Sequence, residues 1–264
     1  MNVRLTERDW SLLHAIYSRT VMSFCQIKAL CFAERSKSVV HNRMTELERA
    51  GFIERVRVGR ILHHLEAREI GVVFCLTRKA LKWLQLKFPN EHFRLEPIPI
   101  NTTTLYHDLL LSDVLLALEK RFLGSRFVNG KLIAADSLAN GRLPDAVAEW
   151  PDGKNILAVE LELTAKSEKR YRQIIMQYRL HSRAAGVLYV TATKGIQEKI
   201  EGIIAHKKVE GLAKPSTGKF YFANLKDLLT RPLEAKISNG TEGIIYPNTE
   251  ALGVSERTTY GLKI

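Results

Sequence analysis

The sequence predicts an α/β chain of the α+β type, in which a helical N-terminal part is followed by a part that alternates strands and helices. Three short helical segments fall within the first fifty residues, and the first and third of them have a Thr or Ser cap. Residues 141–183 have the pattern strand, turn, strand and basic helix. Gly186–Thr191 is then a continuous apolar run, which is typical of a strand buried on both faces.

Composition indicates the class of partner. The chain has 40 Lys and Arg against 28 Asp and Glu, a net charge of +12 and a pI of about 9.7. Such a surface favours a polyanion, and nucleic acid in particular, because binding releases the counterions condensed on it. No apolar run approaches the roughly 20 residues that span a bilayer, and the first residues lack a signal-peptide core. We therefore expect a cytoplasmic protein with no membrane partner.

The three cysteines, Cys25, Cys31 and Cys75, all lie in the first third of the chain. An odd number in this position argues against a disulfide framework, and no His or Cys stands at the spacing of a zinc site. We expect three free, buried thiols.

The N-terminal helices are predicted from their caps and apolar stripes. Thr6 followed by Glu-Arg-Asp has the form of a capping box for a first helix to about residue 18, and a second helix fits residues 23–30. Ser36 or Ser38 can cap a third helix, which Gly51 ends. The residues of this third helix that should face inward are Val40, Met44 and Leu47.

Residues 52–58 and 72–76 are predicted strands joined by a polar, basic loop, and Thr77 caps a further helix to about residue 88. The order helix, helix, helix, hairpin, helix, together with the run LERAGFIERV at residues 47–56, resembles a winged helix-turn-helix domain over roughly residues 5–88. We assign residues 1–90 to this domain and residues 91–104, which contain Pro97, Pro99 and a Thr run, to a linker.

The resemblance implies a DNA-binding role for the third helix and the hairpin. Residues on the exposed face of the third helix would enter the major groove: Lys37, Ser38, His41, Asn42 and Thr45. Residues of the hairpin, or wing, would reach phosphates or the minor groove: Arg57, Arg60 and Arg68. Winged helices also serve as protein-docking modules, and that alternative remains.

Residues 105–230 are predicted to form the second domain, and residues 231–264, which lack periodicity, an extension. Its central feature is an acidic hairpin. Pro144 can start a strand that carries Asp145, and residues 150–153, Trp-Pro-Asp-Gly, form a turn. The returning strand, residues 156–164, puts Glu160 and Glu162 on one face, with Asp145 roughly level with Glu160.

The register of this hairpin is open, because a slip of one residue moves a whole strand to the other face. If the faces agree, Asp145, Glu160 and Glu162 converge and repel one another unless a cation is bound. Carboxylate oxygens suit Mg²⁺ or Mn²⁺. The alternative is a solvent-facing hairpin whose acids keep it soluble. A basic helix follows, with a buried stripe of Tyr171, Ile174, Ile175 and Tyr178.

Pro-Asp, a spacer and Glu-x-Glu resemble the PD-(D/E)XK nuclease fold. That resemblance implies that Asp145 and Glu160 bind metal, with Glu162 as a further ligand or as the base for water. Glu162 stands where the fold normally has Lys, so Lys166 or Lys169 would supply the missing cation. His107, near the start of a predicted helix over residues 105–122, is a further candidate for the site.

The segments HDLLLSDVLLAL, LPDAVAEW and ILAVELELTAKS, in this order after the winged helix, resemble the replication-relaxation family, which includes mobilisation relaxases of the MobC type. The resemblance covers about residues 5–225. It implies a metal-dependent DNA endonuclease or relaxase that nicks DNA at the origin of a mobile element, and it allows a dimer and other mobilisation or replication proteins as partners.

Two alternatives remain open. Nicking by a tyrosine would require an accessible side chain among Tyr17, Tyr106 and Tyr178, of which the helical stripes bury Tyr17 and Tyr178. The protein could instead be a sequence-specific regulator or replication initiator with an inactive nuclease-like domain, as the missing Lys after Glu160 favours.

Overall fold

The computed structural model describes residues 3–62, 67–133, 143–149, 156–181, 184–205 and 219–239. Of residues 59–62, 67–70, 149 and 181 it describes the backbone alone. The chain divides into two compact units, of which the first ends at Asp113 and the second begins at Val114. No helix in the described parts has the length and apolarity needed to cross a membrane.

The first unit begins with three helices at the predicted places: α1 (Glu7–Arg19), α2 (Phe24–Cys31) and α3 (Lys37–Arg49). The capping box at Thr6 is confirmed, since its side chain accepts from the Asp9 N–H and the Asp9 carboxylate accepts from the Thr6 N–H at 2.7 Å. Ser36 caps α3, and Gly51 follows that helix at φ +74°. Local hydrogen bonds thus fix these helix ends.

A three-stranded antiparallel sheet follows, in the order β1 (Met22–Ser23), β3 (Ala67–Leu76) and β2 (Ile53–Leu62). Both hairpin strands are longer than the predicted 52–58 and 72–76. The predicted strands stop short of Gly59 and Gly71, which interrupt the apolar pattern. In the structure these two glycines are partners, the register shifts on either side of Gly59, and Gly71 has φ +68°. Thr77 caps α4 (Arg78–Lys87), as predicted.

The thiols are free, as predicted, but their expected burial is only partly right. Cys75 is buried, Cys31 is half-buried and Cys25 is exposed. Cys25 faces out because its neighbours Gln26 and Ile27 supply the buried face of α2. Burial raises the pKa of the Cys31 and Cys75 thiols to about 11.

The predicted linker packs on the first unit. Phe93 lies 4.8 Å from Tyr17 between ring centroids, and Glu91 is 3.1 Å from His14. Helix α5 (Leu105–Arg121) follows, and its first turns pack Leu105 and Leu109 in one cluster with apolar residues of the first unit, Val21 and Val73. The division between the units therefore falls inside α5, whereas the sequence placed the start of the second domain at residue 105.

The second unit contains a six-stranded sheet. Its strands, in spatial order, are β4 (Arg126–Asn129), β5 (Ala146–Glu149), β6 (Ile156–Glu162), β7 (Gly186–Thr191), β8 (Phe220–Asn224) and β9 (Ile237–Ser238). The pairs β6–β7 and β7–β8 are parallel and the others antiparallel. The helices are α6 (Glu168–His181), α7 (Lys194–Ala205) and α8 (Leu225–Thr230). From α5 to β8 the predicted order α-β-β-β-α-β-α-β is confirmed.

The core of this unit lies between the sheet and the helices α6 and α7. The predicted α6 stripe of Tyr171, Ile174, Ile175 and Tyr178 is buried there with Ile196, Ile200, Ile203 and Ile204 of α7. Every residue of β7 is buried, as its apolar run predicts. Strand β9 was not predicted, since two residues carry no periodicity, and it adds part of the supposed extension to the sheet.

Candidate functional site

Helix α3 presents one polar face. Val40, Met44 and Leu47 are fully buried on its inner side. On the opposite side four of the five predicted DNA-contacting residues are exposed: Lys37, Ser38, His41 and Asn42. The fifth, Thr45, is half-buried and its hydroxyl accepts a hydrogen bond from Arg55 of β2 at 3.0 Å. The exposed face is therefore on the first two turns of α3.

A buried ion pair ties α3 to α1. Arg43 donates to both carboxylate oxygens of Asp9, at 2.9 and 2.5 Å, and Asp9 is only 1% exposed. Burial alone would raise the pKa of Asp9, but hydrogen bonds from Arg43 and Thr6 outweigh it and hold that pKa below its ordinary value. This contact fixes the rotation of α3 about its axis, and with it the direction of the exposed face.

The wing residues are only partly described. Arg57 is exposed on β2. The backbones of Arg60 and Arg68 belong to the β2–β3 ladder, opposite Glu69 and Ile61 respectively, and their side chains lie outside the described residues.

The acidic hairpin has the register in which the two faces agree. Ala146 pairs with Val159, so Asp145, one residue earlier, stands beside Glu160. The Asp145 Oδ2 atom accepts a hydrogen bond from the Leu161 N–H at 2.8 Å. Glu160 and Glu162 are each 1% exposed. The solvent-facing interpretation is wrong for these two acids, because α6 covers their face of the sheet. The turn at residues 150–153 lies outside the described residues.

Each buried acid meets donors from the segment that follows β6. Tyr178 of α6 donates its hydroxyl to Glu160, and Tyr171 donates to Glu162 at 3.4 Å. Lys166 forms an ion pair with Glu162, so the cation predicted for this position does reach the Glu-x-Glu pair. Burial first, and then the charge of Glu162, raise the pKa of Tyr171 to about 12, and the phenol remains a neutral donor at neutral pH.

The two acids lie near one end of the strands of the sheet. Glu162, Thr191 and Asn224 are paired neighbours at the carboxyl ends of the parallel strands β6, β7 and β8, and open α/β sheets bind ligands at this end of their strands. The Thr191 hydroxyl is fully buried and has no hydrogen-bond partner among the described residues. Buried hydroxyl groups in folded proteins nearly always have a hydrogen-bond partner, so this one is unusual.

The acids do not by themselves form a complete metal cage. Among the described residues, no three or more His, Cys, Asp or Glu side chains are grouped so as to hold a metal ion. Asp145 and Glu160 adjoin and have the oxygen ligands that Mg²⁺ or Mn²⁺ prefers, whereas Glu162 is directed to Lys166. The fit to such an ion is limited to those two acids.

Other candidates lie elsewhere or are covered. His107 belongs to the first unit, where its Nδ1 lies 3.8 Å from Asp108, whereas the acidic hairpin belongs to the second. Tyr17, Tyr106 and Tyr178 are 6%, 6% and 4% exposed, so none of them is an accessible nucleophile in this conformation.

Sequence reasoning missed the role of Tyr171 and Tyr178 as donors to the acids. It treated both as apolar core, although a buried tyrosine hydroxyl requires a polar partner, and that requirement was the available signal. It also gave no role to the exposed face of α4, where Trp83 stands at a solvent position of an otherwise basic helix.

Comparison with known proteins gives one family. The family model described as replication-relaxation matches residues 13–191, from α1 through the end of β7. The searches of curated proteins and of solved structures found no match. The matched region takes in both the α3 face and the acidic hairpin and is more than half of the chain. The protein therefore belongs to the replication-relaxation family, which implies interaction with DNA and a role in the replication or mobilisation of mobile elements.

Proposed function

We propose that the protein is a sequence-specific duplex DNA-binding protein that recognises the origin of a mobile element through α3. The observation that carries the proposal is the polar, exposed face of α3 opposite its buried stripe. Residues four apart on a helix lie above one another, so Lys37 with His41 and Ser38 with Asn42 form two adjacent rows. The major groove of B-DNA is wide enough to admit an α-helix that presents such a face.

The chemistry of the rows supports base recognition. An Asn side chain can make a bidentate contact with adenine, and Lys37 and Arg57 can neutralise phosphates on either side. The Asp9–Arg43 ion pair orients α3 before DNA arrives, so that less conformational entropy is lost on binding. Net basic charge steers the association.

The test is a gel shift of the full chain on duplex DNA from the element's own origin. We expect Asn42→Ala to reduce discrimination between bases by about 1–3 kcal/mol. Arg57→Ala should weaken binding to all sequences alike and reduce the slope of log K against log salt by about 0.9. Lys226→Gln, a change at an exposed Lys of α8, is the matched control. Binding that does not depend on salt contradicts the proposal.

A second candidate function is metal-dependent nicking of that DNA. Two observations favour it: Asp145 stands beside Glu160 at the sheet edge, and the Thr191 hydroxyl is buried there without a described partner. Asp145 and Glu160 would hold Mg²⁺ or Mn²⁺, which when bound supplies Lewis-acid polarisation of a phosphate. Lys166 would offset negative charge that develops on the phosphate, with Glu162 holding its ammonium group in place.

Nicking is tested on supercoiled plasmid that carries the origin, with Mg²⁺ or Mn²⁺. Asp145→Ala and Glu160→Ala should each abolish nicking and leave the gel shift unchanged, because the α3 face is intact. Glu198→Ala, at an exposed acid of α7, is the control, and a melting curve excludes unfolding. If the parent protein does not nick, the activity is that of a regulator or initiator. If both variants nick as the parent does, these acids are not catalytic.

A further inference from the structure

Helix α4 carries an open surface cavity that neither proposal above uses. Its volume is about 440 Å³, and it is lined by one face of α4: Arg78, Lys79, Lys82, Trp83 and Leu86. Three of these five side chains are cationic, one is a large aromatic ring, and none is acidic. A planar ring among cations is the composition of a site that stacks nucleobases and neutralises phosphates.

The ring of Trp83 is held in a fixed position while part of it stays exposed. It stacks on Trp10 at 6.3 Å between centroids, and the Phe52 ring meets it nearly perpendicularly at 5.5 Å. Trp83 is nevertheless 43% exposed, and Leu86, one turn along the helix, is 78% exposed. A ring that is already immobilised loses little conformational entropy when a ligand stacks on it.

The cations around this ring are placed for an anionic ligand. Lys79 donates to the carbonyl of Ala50 at 2.7 Å, which holds its ammonium group near α3, and Lys82 is exposed beside Trp83. Arg78 pairs with Glu96, but both side chains are about 60% exposed. Exposed pairs contribute little stability, so Arg78 can exchange Glu96 for a phosphate.

We propose that this face of α4 binds single-stranded nucleic acid, with an unpaired base on Trp83 and the adjoining phosphates on Arg78 and Lys82. Bases of an intact duplex are stacked on one another and do not offer a face to a protein ring, so the α4 surface selects the single-stranded form. An acidic peptide would satisfy the cations but would leave the exposed indole face without a planar partner. The site is separate from the exposed residues of α3 and does not depend on their binding duplex DNA.

The first experiment measures the fluorescence anisotropy of a short labelled oligo(dT) titrated with the full chain. We expect Trp83→Ala to weaken binding by about 5- to 150-fold, the range for the loss of one stacked base. Trp83→Phe, which keeps a ring, should retain most of the affinity. Leu180→Ala, at an apolar residue of α6 that is 50% exposed, should have no effect. Asn42→Ala should also leave oligo(dT) binding intact, and Trp83→Ala should leave the duplex gel shift intact.

A second variant keeps the test decisive if Trp83→Ala disturbs the packing of Trp10. Lys82→Gln changes an exposed side chain and should lower the slope of log K against log salt by about 0.7 for oligo(dT). Lys226→Gln should not change that slope. The proposal is overturned if oligo(dT) does not bind the parent protein. It is also overturned if Trp83→Ala leaves the affinity for oligo(dT) unchanged and Lys82→Gln leaves the slope of log K against log salt unchanged. It is likewise overturned if poly-glutamate binds the parent protein more tightly than oligo(dT) does and Trp83→Ala weakens that binding, since an acidic protein would then be the occupant. If Trp83→Ala dissociates an oligomer in sedimentation, a second copy of the chain is the occupant and the proposal is also overturned.

Discussion

Asp9 is the residue on which the orientation of α3 depends most directly. Its carboxylate accepts from Thr6 at the start of α1 and from Arg43 in the middle of α3. A local cap and a contact between two helices thus share one side chain. Because Asp9 is buried, the loss of its negative charge leaves the positive charge of Arg43 incompletely compensated.

We expect Asp9→Asn to lower the free energy of unfolding at pH 7 by about 1–3 kcal/mol. The pKa of Asp9 in the fold lies below its ordinary value of 3.8, so its contribution is complete above about pH 5 and is lost as the pH falls through the folded pKa. The difference between parent and variant should therefore shrink below about pH 5. Urea unfolding at several pH values measures this.

Glu46→Gln is the control for that series, since Glu46 also pairs with Arg43 but is 54% exposed. It should cost no more than about 0.5 kcal/mol. A difference between parent and Asp9→Asn that stays constant from pH 7 to pH 3 would contradict the assignment.

The two tyrosines of α6 differ in how much their acids depend on them. Tyr178 contacts Glu160 directly, whereas the Tyr171 hydroxyl is 3.4 Å from Glu162, which also pairs with Lys166. We expect Tyr178→Phe to lower the free energy of unfolding by about 1.5–3 kcal/mol, as for a hydrogen bond to a charged group. Tyr171→Phe should cost less. Chemical denaturation of both variants checks this order, and the reverse order would refute it.

At the scale of elements, the approach of β4 to β5 depends on one glycine. The chain turns after β4 at Gly130, whose N–H donates to the carbonyl of Asp145 at 2.8 Å. A Cβ atom at this position would lie 1.8 Å from the carbonyl oxygen of Pro144. Only glycine allows the backbone that carries Asp145 to lie this close.

Gly130→Ala should therefore destabilise the second unit by at least about 1–3 kcal/mol, because backbone rather than a flexible side chain must move. Gly202→Ala is the matched control. Among the described residues, no atom outside the adjoining backbone of α7 lies within 4 Å of the Cβ that this change adds. The higher helix propensity of Ala should therefore stabilise the protein by about 0.5–1 kcal/mol. Thermal melting distinguishes the two variants. Equal melting temperatures would show that the backbone before β5 moves away from residue 130 without a cost in stability.

At the scale of the whole molecule, the first unit is larger than a winged helix alone. Phe93, Leu105 and Leu109 are at most 7% exposed and cover apolar residues of α1 and β3. A boundary drawn at residue 90 removes all three. The fragment that keeps its core runs to the end of α5.

We expect a fragment of residues 1–121 to unfold cooperatively and a fragment of residues 1–90 to be less stable by at least about 4 kcal/mol, since each buried apolar side chain contributes about 1.5–3 kcal/mol. Leu109→Ala in the longer fragment should cost about 2–5 kcal/mol. Circular dichroism during urea titration measures both. Equal stability of the two fragments would mean that the linker contributes nothing to this core.

The sequence alone determined the features that depend on short-range interactions. The caps at Thr6, Ser36 and Thr77 are hydrogen bonds within one helical turn, so the residue types suffice to locate them. The stripe of α6 and the buried run of β7 follow from a fixed geometric period. Family membership follows from the order of such segments, which the match to residues 13–191 confirms.

Only the tertiary structure decided which groups meet across long distances in the chain. The sequence pattern placed Glu160 and Glu162 on one face of a strand. It did not predict which element packs on that face, because the two-residue period of a strand does not specify what covers the sheet. Helix α6 covers it, and so the acids are buried against tyrosines. In the same way the first unit retains the linker and the start of α5, since burial of Phe93, Leu105 and Leu109 outweighs the local turn signals of Pro97 and Pro99.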